Sequence, residues 1–314
     1  MPLRWYELRG GPLSEIDLNT SLIHWAEQWS QHRDVTTRRQ RADEHRVETY
    51  IKPYIGDKSV TRITHRQIVD WLDALEASGV GRATLYASLM IVRQSISLAY
   101  ETMGITRANP AKPASDDERS LRNMQTFRQP DEAEILGDGQ VQNLLEAIDP
   151  YFRALVHLSV ETGAKWEEAV GLREQDLDLI LQRVTLGAMR IISEPGGVVA
   201  REGESRAVPI STALAADLKR HLLLTDDWRT AENNYMFLTK RTHTHVLSAN
   251  FTHHVWRPAL WQADLNPKLT FHSLRHTAAV RMIEQDVPAE EIARRLGHKA
   301  VTTTKGMYQR YFKS

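Results

Sequence analysis

The chain has 314 residues, 40 basic and 40 acidic side chains, and no cysteine. That length suits two domains better than one. The lack of cysteine removes disulfides and thiolate metal sites, and no long uncharged apolar run predicts a signal peptide or a membrane span.

Residues 1–18 show no clear periodicity and are expected to form an N-terminal arm. Leu22, Trp25, Ala26 and Trp29 then fall at i, i+3, i+4 and i+7, the spacing of an amphipathic helix. Thr36 or Thr37 can cap a second helix that runs to about Tyr50, with Pro53 and Gly56 expected to end it. Its face carries Arg38, Arg39, Arg41 and Arg46 mixed with Asp43, Glu44 and Glu48. A solvated face laced with ion pairs is the plain reading; Arg38, Arg39 and Arg41 are also candidate contacts for an anionic polymer. Two more helices are predicted over 65–78 and 82–102, separated by Gly79 and Gly81 and closed by Gly104. Four helices over 19–111 make a compact all-α unit. Residues 112–134 are polar and nearly free of periodic apolar positions, the composition of a linker.

From Leu136 the pattern changes. Helices are predicted at 139–148 and 151–162, the second leading into Thr162-Gly163-Ala164-Lys165-Trp166-Glu167-Glu168. Strands are predicted at 183–186, 188–192 and 206–210, with turns at Gly196-Gly197 and Gly203, giving one small antiparallel sheet. Helices return at 212–224 and 248–260, with a short apolar connection at 235–238. The last segment reads as three short helices. One spans 271–285 and stops at Asp286-Val287-Pro288; one spans 288–296 and is closed by Gly297; the third is entered through Thr302-Thr303-Thr304 and carries Tyr308. The fold class is therefore mainly α with a minor β element, in two domains.

His272 and Arg275 are three apart and leave the same helix face, and His298 follows a glycine at a helix end. Two histidines, an arginine and a tyrosine, with no acid among them, suit an anionic substrate and a hydroxyl nucleophile. His276 sits about 100° round the helix from Arg275 and reads as structural. His243, His245, His253 and His254 lack nearby carboxylates in sequence and read as surface decoration rather than as metal ligands. Net neutrality is unlike many nucleic-acid binders, but basic residues outnumber acidic ones from Arg275 to Lys313.

The series His272-Ser273-Leu274-Arg275-His276-Thr277, then Leu296-Gly297-His298, then Tyr308 resembles the C-terminal signature of the tyrosine recombinase (phage integrase) family. Tyr308 lies one residue further from the histidine than is usual there; Tyr311 would lie further still. The resemblance covers nearly all of the chain. It implies a two-domain DNA clamp, with a helical core-binding domain at 19–111, a hinge at 112–134 and a catalytic domain at 135–314. It assigns Tyr308 as nucleophile of a 3′-phosphotyrosine intermediate, Arg275 as a phosphate clamp, His272 as acid/base and His298 as a phosphate hydrogen-bond donor. Arg294, Arg295 and Lys299 become candidate DNA contacts. Such chemistry needs no cofactor, and the sequence holds neither a Walker glycine loop nor a carboxylate cluster suited to Mg²⁺. The implied partners are double-stranded DNA bearing an inverted-repeat core site, three further copies of the chain in a tetramer that passes through a Holliday junction, and accessory DNA-bending or directionality proteins. The implied location is cytoplasmic and nucleoid-associated, in a bacterium, phage or archaeon.

Two positions depart from the family pattern. Lys165 stands where the family places its first catalytic arginine, in Thr162-Gly163-Ala164-Lys165. The charge is kept, but an ammonium is a point charge and lacks the planar fork of a guanidinium. Aligning Ser205-Arg206-Ala207-Val208-Pro209 puts Arg201 at the family's lysine. Arginine, with a pKa above about 12.5, donates a proton poorly. Either the two changes compensate, or the hairpin alignment is offset and Lys165 marks an impaired enzyme. The second is the simpler expectation, and a DNA-binding relative that has lost catalysis is the alternative function.

Overall fold

The computed structural model describes residues 19–31, 37–112, 129–194, 197–229 and 234–312. The expected arm at 1–18, the cap at Thr36 and most of the expected linker lie outside the described residues. The chain forms two compact units, Met1–Thr126 and Phe127–Ser314.

The described part of the first unit is built on helices: α1 (Leu22–Gln31), α2 (Thr37–Arg46), α3 (His65–Ala77) and α4 (Arg82–Met103). The apolar stripe read from the sequence is the buried one, with Leu22, Trp25 and Ala26 meeting Ile51, Ile68, Leu72, Leu85, Leu89 and Ile96. Thr64 starts α3 through a capping box with Gln67, and Gly104 ends α4 in a left-handed conformation. Pro53 does not stop the second helix. Helical backbone continues from α2 through a π-type stretch, Val47–Gly56, with Pro53 inside it. A wider turn of i→i+5 bonds absorbs a residue that cannot donate. Trp71 Nε1 donates to Tyr50 O at 2.7 Å and ties α3 to that stretch.

In the second unit a 3-10 turn at Glu132–Glu134 leads to α5 (Asp138–Ala147), α6 (Arg153–Thr162) and a single turn, α7 (Trp166–Ala169). The strands make two antiparallel sheets rather than one. β1 (Leu177–Asp178), β2 (Arg183–Leu186) and β5 (Arg206–Pro209) form one, in the order β1-β2-β5; β3 (Met189–Glu194) and β4 (Gly197–Glu202) form the other. The periodicity of 198–202 is too short to announce β4, whose pairing comes from the hairpin. Then follow α8 (Thr212–Leu224), α9 (Ser248–Phe251), a π-type turn at Thr252–Trp256, α10 (Arg257–Gln262), α11 (Phe271–Glu284), α12 (Ala289–Leu296) and α13 (Val301–Met307). The core gathers Leu155, Leu158, Val184, Leu186, Leu214, Phe237, Trp256 and Leu274. A separate apolar cluster joins α11, α12 and Tyr308 through Ala278, Ala279, Ile283, Ile292 and Leu296. Among the described residues, no helix is long and apolar enough to cross a membrane.

Candidate active site

Arg275 is the hub. It is 3 % exposed, and its two terminal nitrogens donate to Gly163 O (2.7 Å) and Leu296 O (2.6 Å). Both carbonyls sit at helix ends whose next turn is closed by a glycine with positive φ, Gly163 after α6 and Gly297 after α12. At both points an L side chain would be strained and would also collide. A Cβ on Gly163 would meet Leu296 at 2.4 Å, and one on Gly297 would meet the Arg206 guanidinium at 2.9 Å. The Thr-Gly and Leu-Gly pairs of the sequence are thus the two jaws that hold this arginine. Burial lowers its pKa to about 10, still far above neutrality, so it stays charged.

Lys165 follows the Gly163 turn. Its backbone N–H donates to Glu168 Oε2 at 3.0 Å. The residue is exposed, yet partial burial of its ammonium, and then the Arg275 charge, hold its pKa below the usual value. Glu168 is buried and accepts both terminal nitrogens of Arg206, at 2.9 and 2.8 Å, while Arg206 Nε donates to Arg295 O at 2.6 Å. Burial alone would raise the Glu168 pKa; the Arg206 bonds overcome that and lower it. One carboxylate–guanidinium pair therefore ties the Lys165 turn, β5 and α12 together. Trp166 does the same for α11, with its ring 5.0 Å from that of Phe271 in an edge contact.

His298 Nδ1 lies 2.7 Å from Thr304 Oγ1. Burial, followed by the Arg275 and Lys165 charges, pushes its pKa down to about 4; His272 is lowered by the same causes in the same order. Both are neutral at pH 7. Lys165 and His272 line a cavity of about 710 Å³, and Lys165, His298, Lys299 and Arg294 line a second of about 380 Å³. Lys165 is common to both.

Tyr308 is placed differently from the sequence expectation. It lies just past α13, as its C-cap, with φ −117° and ψ 22°, at the entry to a 3-10 turn. Its side chain is wholly buried in the α11–α12 apolar cluster, and burial pushes its pKa up to about 12. The hydroxyl is 2.9 Å from His276 Nδ1, and the His276 ring meets that of His272 edge-on at 4.8 Å. His276, read from the sequence as structural, is thus the side chain that touches the tyrosine hydroxyl. Its spacing of four from His272 puts both rings on one side of α11. Tyr311 is part-buried, and its hydroxyl has no hydrogen-bond partner among the described residues.

Lys165, His272, Arg275, His298 and Tyr308 therefore fall in one neighbourhood. Arg201 does not line the cavity shared by Lys165 and His298; it sits on β4, paired in register with Arg190. Arg201 lies within β4, which runs on to Glu202, rather than on the turn after it. Arg294 and Arg295 both bond Glu291, at 2.6 and 2.7 Å. In the first unit Arg39 pairs with Asp43 at 3.3 Å, Arg41 is exposed, and the side chain of Arg38 lies outside the described residues. His243 stacks on Trp228 (4.4 Å, 15°) and His245 meets Tyr235 edge-on.

Residues 134–314 match the phage integrase family model. The chain belongs to the phage integrase family. A tyrosine recombinase XerC-like protein of Caldanaerobacter subterraneus is 27 % identical over 204 residues, which are 56 % of this chain and 50 % of that one. Tyrosine recombinase XerD of Corynebacterium glutamicum is 24 % identical over 274 residues, 87 % of this chain and 78 % of its own. The chain thus spans half the length of the first relative. Among solved structures, the Tn1549 transposon integrase in complex with a circular intermediate DNA superposes with a TM-score of 0.71 at 16 % identity, covering 94 % of this chain and 95 % of that one. A lambda integrase tetramer bound to a Holliday junction gives 0.57 at 15 % identity over 97 % and 81 %. These integrases share the mainly helical, two-unit fold with small antiparallel sheets.

Proposed function

We propose that this integrase-family protein is a site-specific tyrosine recombinase that cuts and rejoins double-stranded DNA without a metal or nucleotide cofactor. The observation that carries the reading is the convergence of Arg275, Lys165 and two neutral histidines beside a tyrosine hydroxyl. Phosphoryl transfer needs donors on the phosphate oxygens, a nucleophile, and a proton route to the leaving group. Arg275 and Lys165 supply positive charge. His272 and His298, kept neutral, donate through N–H without adding charge. Tyr308 Oη attacks phosphorus as the bond to the 5′ oxygen breaks. The tyrosine proton passes to a base, for which His276 Nδ1 stands at hydrogen-bond distance, and the Lys165 ammonium, its pKa lowered by burial, gives a proton to the 5′ oxygen. Rejoining reverses the step. Arg38, Arg39, Arg41, Arg294, Arg295 and Lys299 are candidate backbone contacts, the first unit serving as the core-binding domain. Recombination on an inverted-repeat core site would use four copies of the chain, with accessory DNA-bending or directionality proteins, in a cytoplasmic, nucleoid-associated setting.

A side chain with no exposed surface cannot reach a phosphate outside the protein. The reaction therefore requires the segment after α13 to shift and release Tyr308 from the α11–α12 cluster. Catalysis impaired at Lys165 remains the second reading, favoured by the loss of the fork at that position.

The test is covalent trapping on a nicked duplex that carries the site, chosen by selecting random duplexes with the Tyr308→Phe protein. A DNA-linked band in the absence of divalent metal, lost with Tyr308→Phe, supports the recombinase. If neither the chain as it stands nor Lys165→Arg gives a band on DNA that both bind, the protein is a non-catalytic DNA-binding relative.

A further inference from the structure

The cavity of about 380 Å³ that holds Lys165 and His298 is also lined by Arg190, at the second position of β3. Among the described residues, four guanidinium groups stand in or beside this cavity, and three are committed to the protein. Arg206 binds Glu168 and Arg295 O. Arg294 binds Glu291 and Ala207 O. Arg275 holds the two helix-end carbonyls. Among these four, Arg190 keeps its terminal edge open: its Nη1 has no hydrogen-bond partner among the described residues and its Nη2 reaches only Glu202 O, at 3.4 Å, while Nε is buried. A guanidinium edge left without acceptors beside a cavity is suited to an anion, which would supply two oxygens to its terminal N–H groups. The hairpin register puts Arg190 opposite Arg201, and the guanidinium lies against the backbone at Gly203, where a Cβ would come within 2.7 Å of Nε. Gly203 thus leaves the guanidinium room beside the cavity.

We propose that Arg190 supplies to the DNA phosphate the guanidinium fork that Lys165 lacks, making it a further catalytic residue of this protein. The proposal rests on the recombinase reading and gives that site its missing bidentate donor. A fork presents two parallel N–H groups to two phosphate oxygens, and an ammonium cannot. The replacement then comes from the hairpin rather than from the turn after α6, and the position opposite Arg201 follows from strand pairing, not from sequence proximity.

The experiment measures single-turnover cleavage at saturating duplex, with the dissociation constant and melting temperature of each protein recorded alongside. The proteins are the chain itself, Arg190→Lys, Arg190→Ala, Lys165→Arg and the double variant Arg190→Lys/Lys165→Arg. The expected result is a cleavage rate lowered roughly 10²-fold by Arg190→Lys, the loss typical of removing one transition-state donor, with affinity changed less than about threefold. Lys165→Arg in the same chain restores most of that rate. A merely structural arginine would lower the melting temperature and gain nothing from Lys165→Arg. Cleavage by Arg190→Lys and Arg190→Ala within about threefold of the unaltered chain overturns the proposal and leaves the recombinase standing. So does a chain that is inert until Lys165→Arg is introduced, because Arg190 then fails to compensate. If no variant forms a covalent adduct, the recombinase reading itself falls and takes the proposal with it.

Discussion

Arg206→Ala tests the internal brace of the site. The Glu168 and Arg206 side chains are 6 % and 9 % exposed and meet through two bonds of 2.9 and 2.8 Å. Removing the arginine leaves a buried carboxylate whose remaining bond is the Lys165 N–H. Breaking one side of a buried pair costs roughly 3–5 kcal/mol. At about 2–4 °C per kcal/mol for a unit of this size, the transition of the second unit should fall on the order of 10 °C. Replacing both residues by methionine should recover much of that, since apolar burial of similar volume is close to neutral against a buried pair. Differential scanning calorimetry of the unaltered chain, Arg206→Met, Glu168→Met and the double variant completes the cycle. The pH dependence has a fixed sign. The Glu168 pKa is lower in the folded state than in the unfolded chain, so its stabilisation is present above the unfolded value, about 4.3, and is lost as pH falls through the folded one. The gap between the unaltered chain and Arg206→Ala should therefore narrow in acid. A drop below about 2 °C, or single effects that simply add in the double variant, would refute the brace.

Three further outcomes follow from the same geometry. Lys165→Arg should raise the single-turnover cleavage rate of the unaltered chain less than about tenfold if Arg190 already supplies a fork, and roughly 10²-fold if nothing does. Tyr308, wholly buried with its pKa near 12, should resist nitration in the DNA-free protein while Tyr54, 44 % exposed, is modified; peptide mass spectrometry reads both. His298 is neutral in the fold, its pKa held near 4, whereas the unfolded chain takes up a proton near 6.5, so stability is lost as pH falls between those values. His298→Gln should flatten the fall of the urea midpoint across that window, and an unchanged slope would show that the imidazole is not held neutral.

Much of the helical frame was legible in the sequence, because amphipathic spacing and helix punctuation are local. Leu22, Trp25 and Ala26 are buried as their spacing requires, and Gly104 and Gly297 end their helices as expected. The family signature likewise named the residues that gather at Arg275. Pro53 misled, since a proline read alone breaks a helix, whereas packing around it supports a wider turn. β4 and the second sheet were missed because strand pairing is a property of two segments. The same reason hid Arg190, which nothing in its own neighbourhood marks. His276 was set aside on an angle measured from Arg275, when the partner that matters is Tyr308, 32 residues away. The sequence by itself determined which groups carry charge, which residues match the family signature and where glycine closes a helix, all fixed by residue type and short-range geometry. Only the tertiary structure decided which arginines are bound to carbonyls or carboxylates, which one is left open, and that the tyrosine is stored in an apolar cluster. Those outcomes depend on contacts between residues far apart in the chain, where burial and hydrogen bonding are settled together.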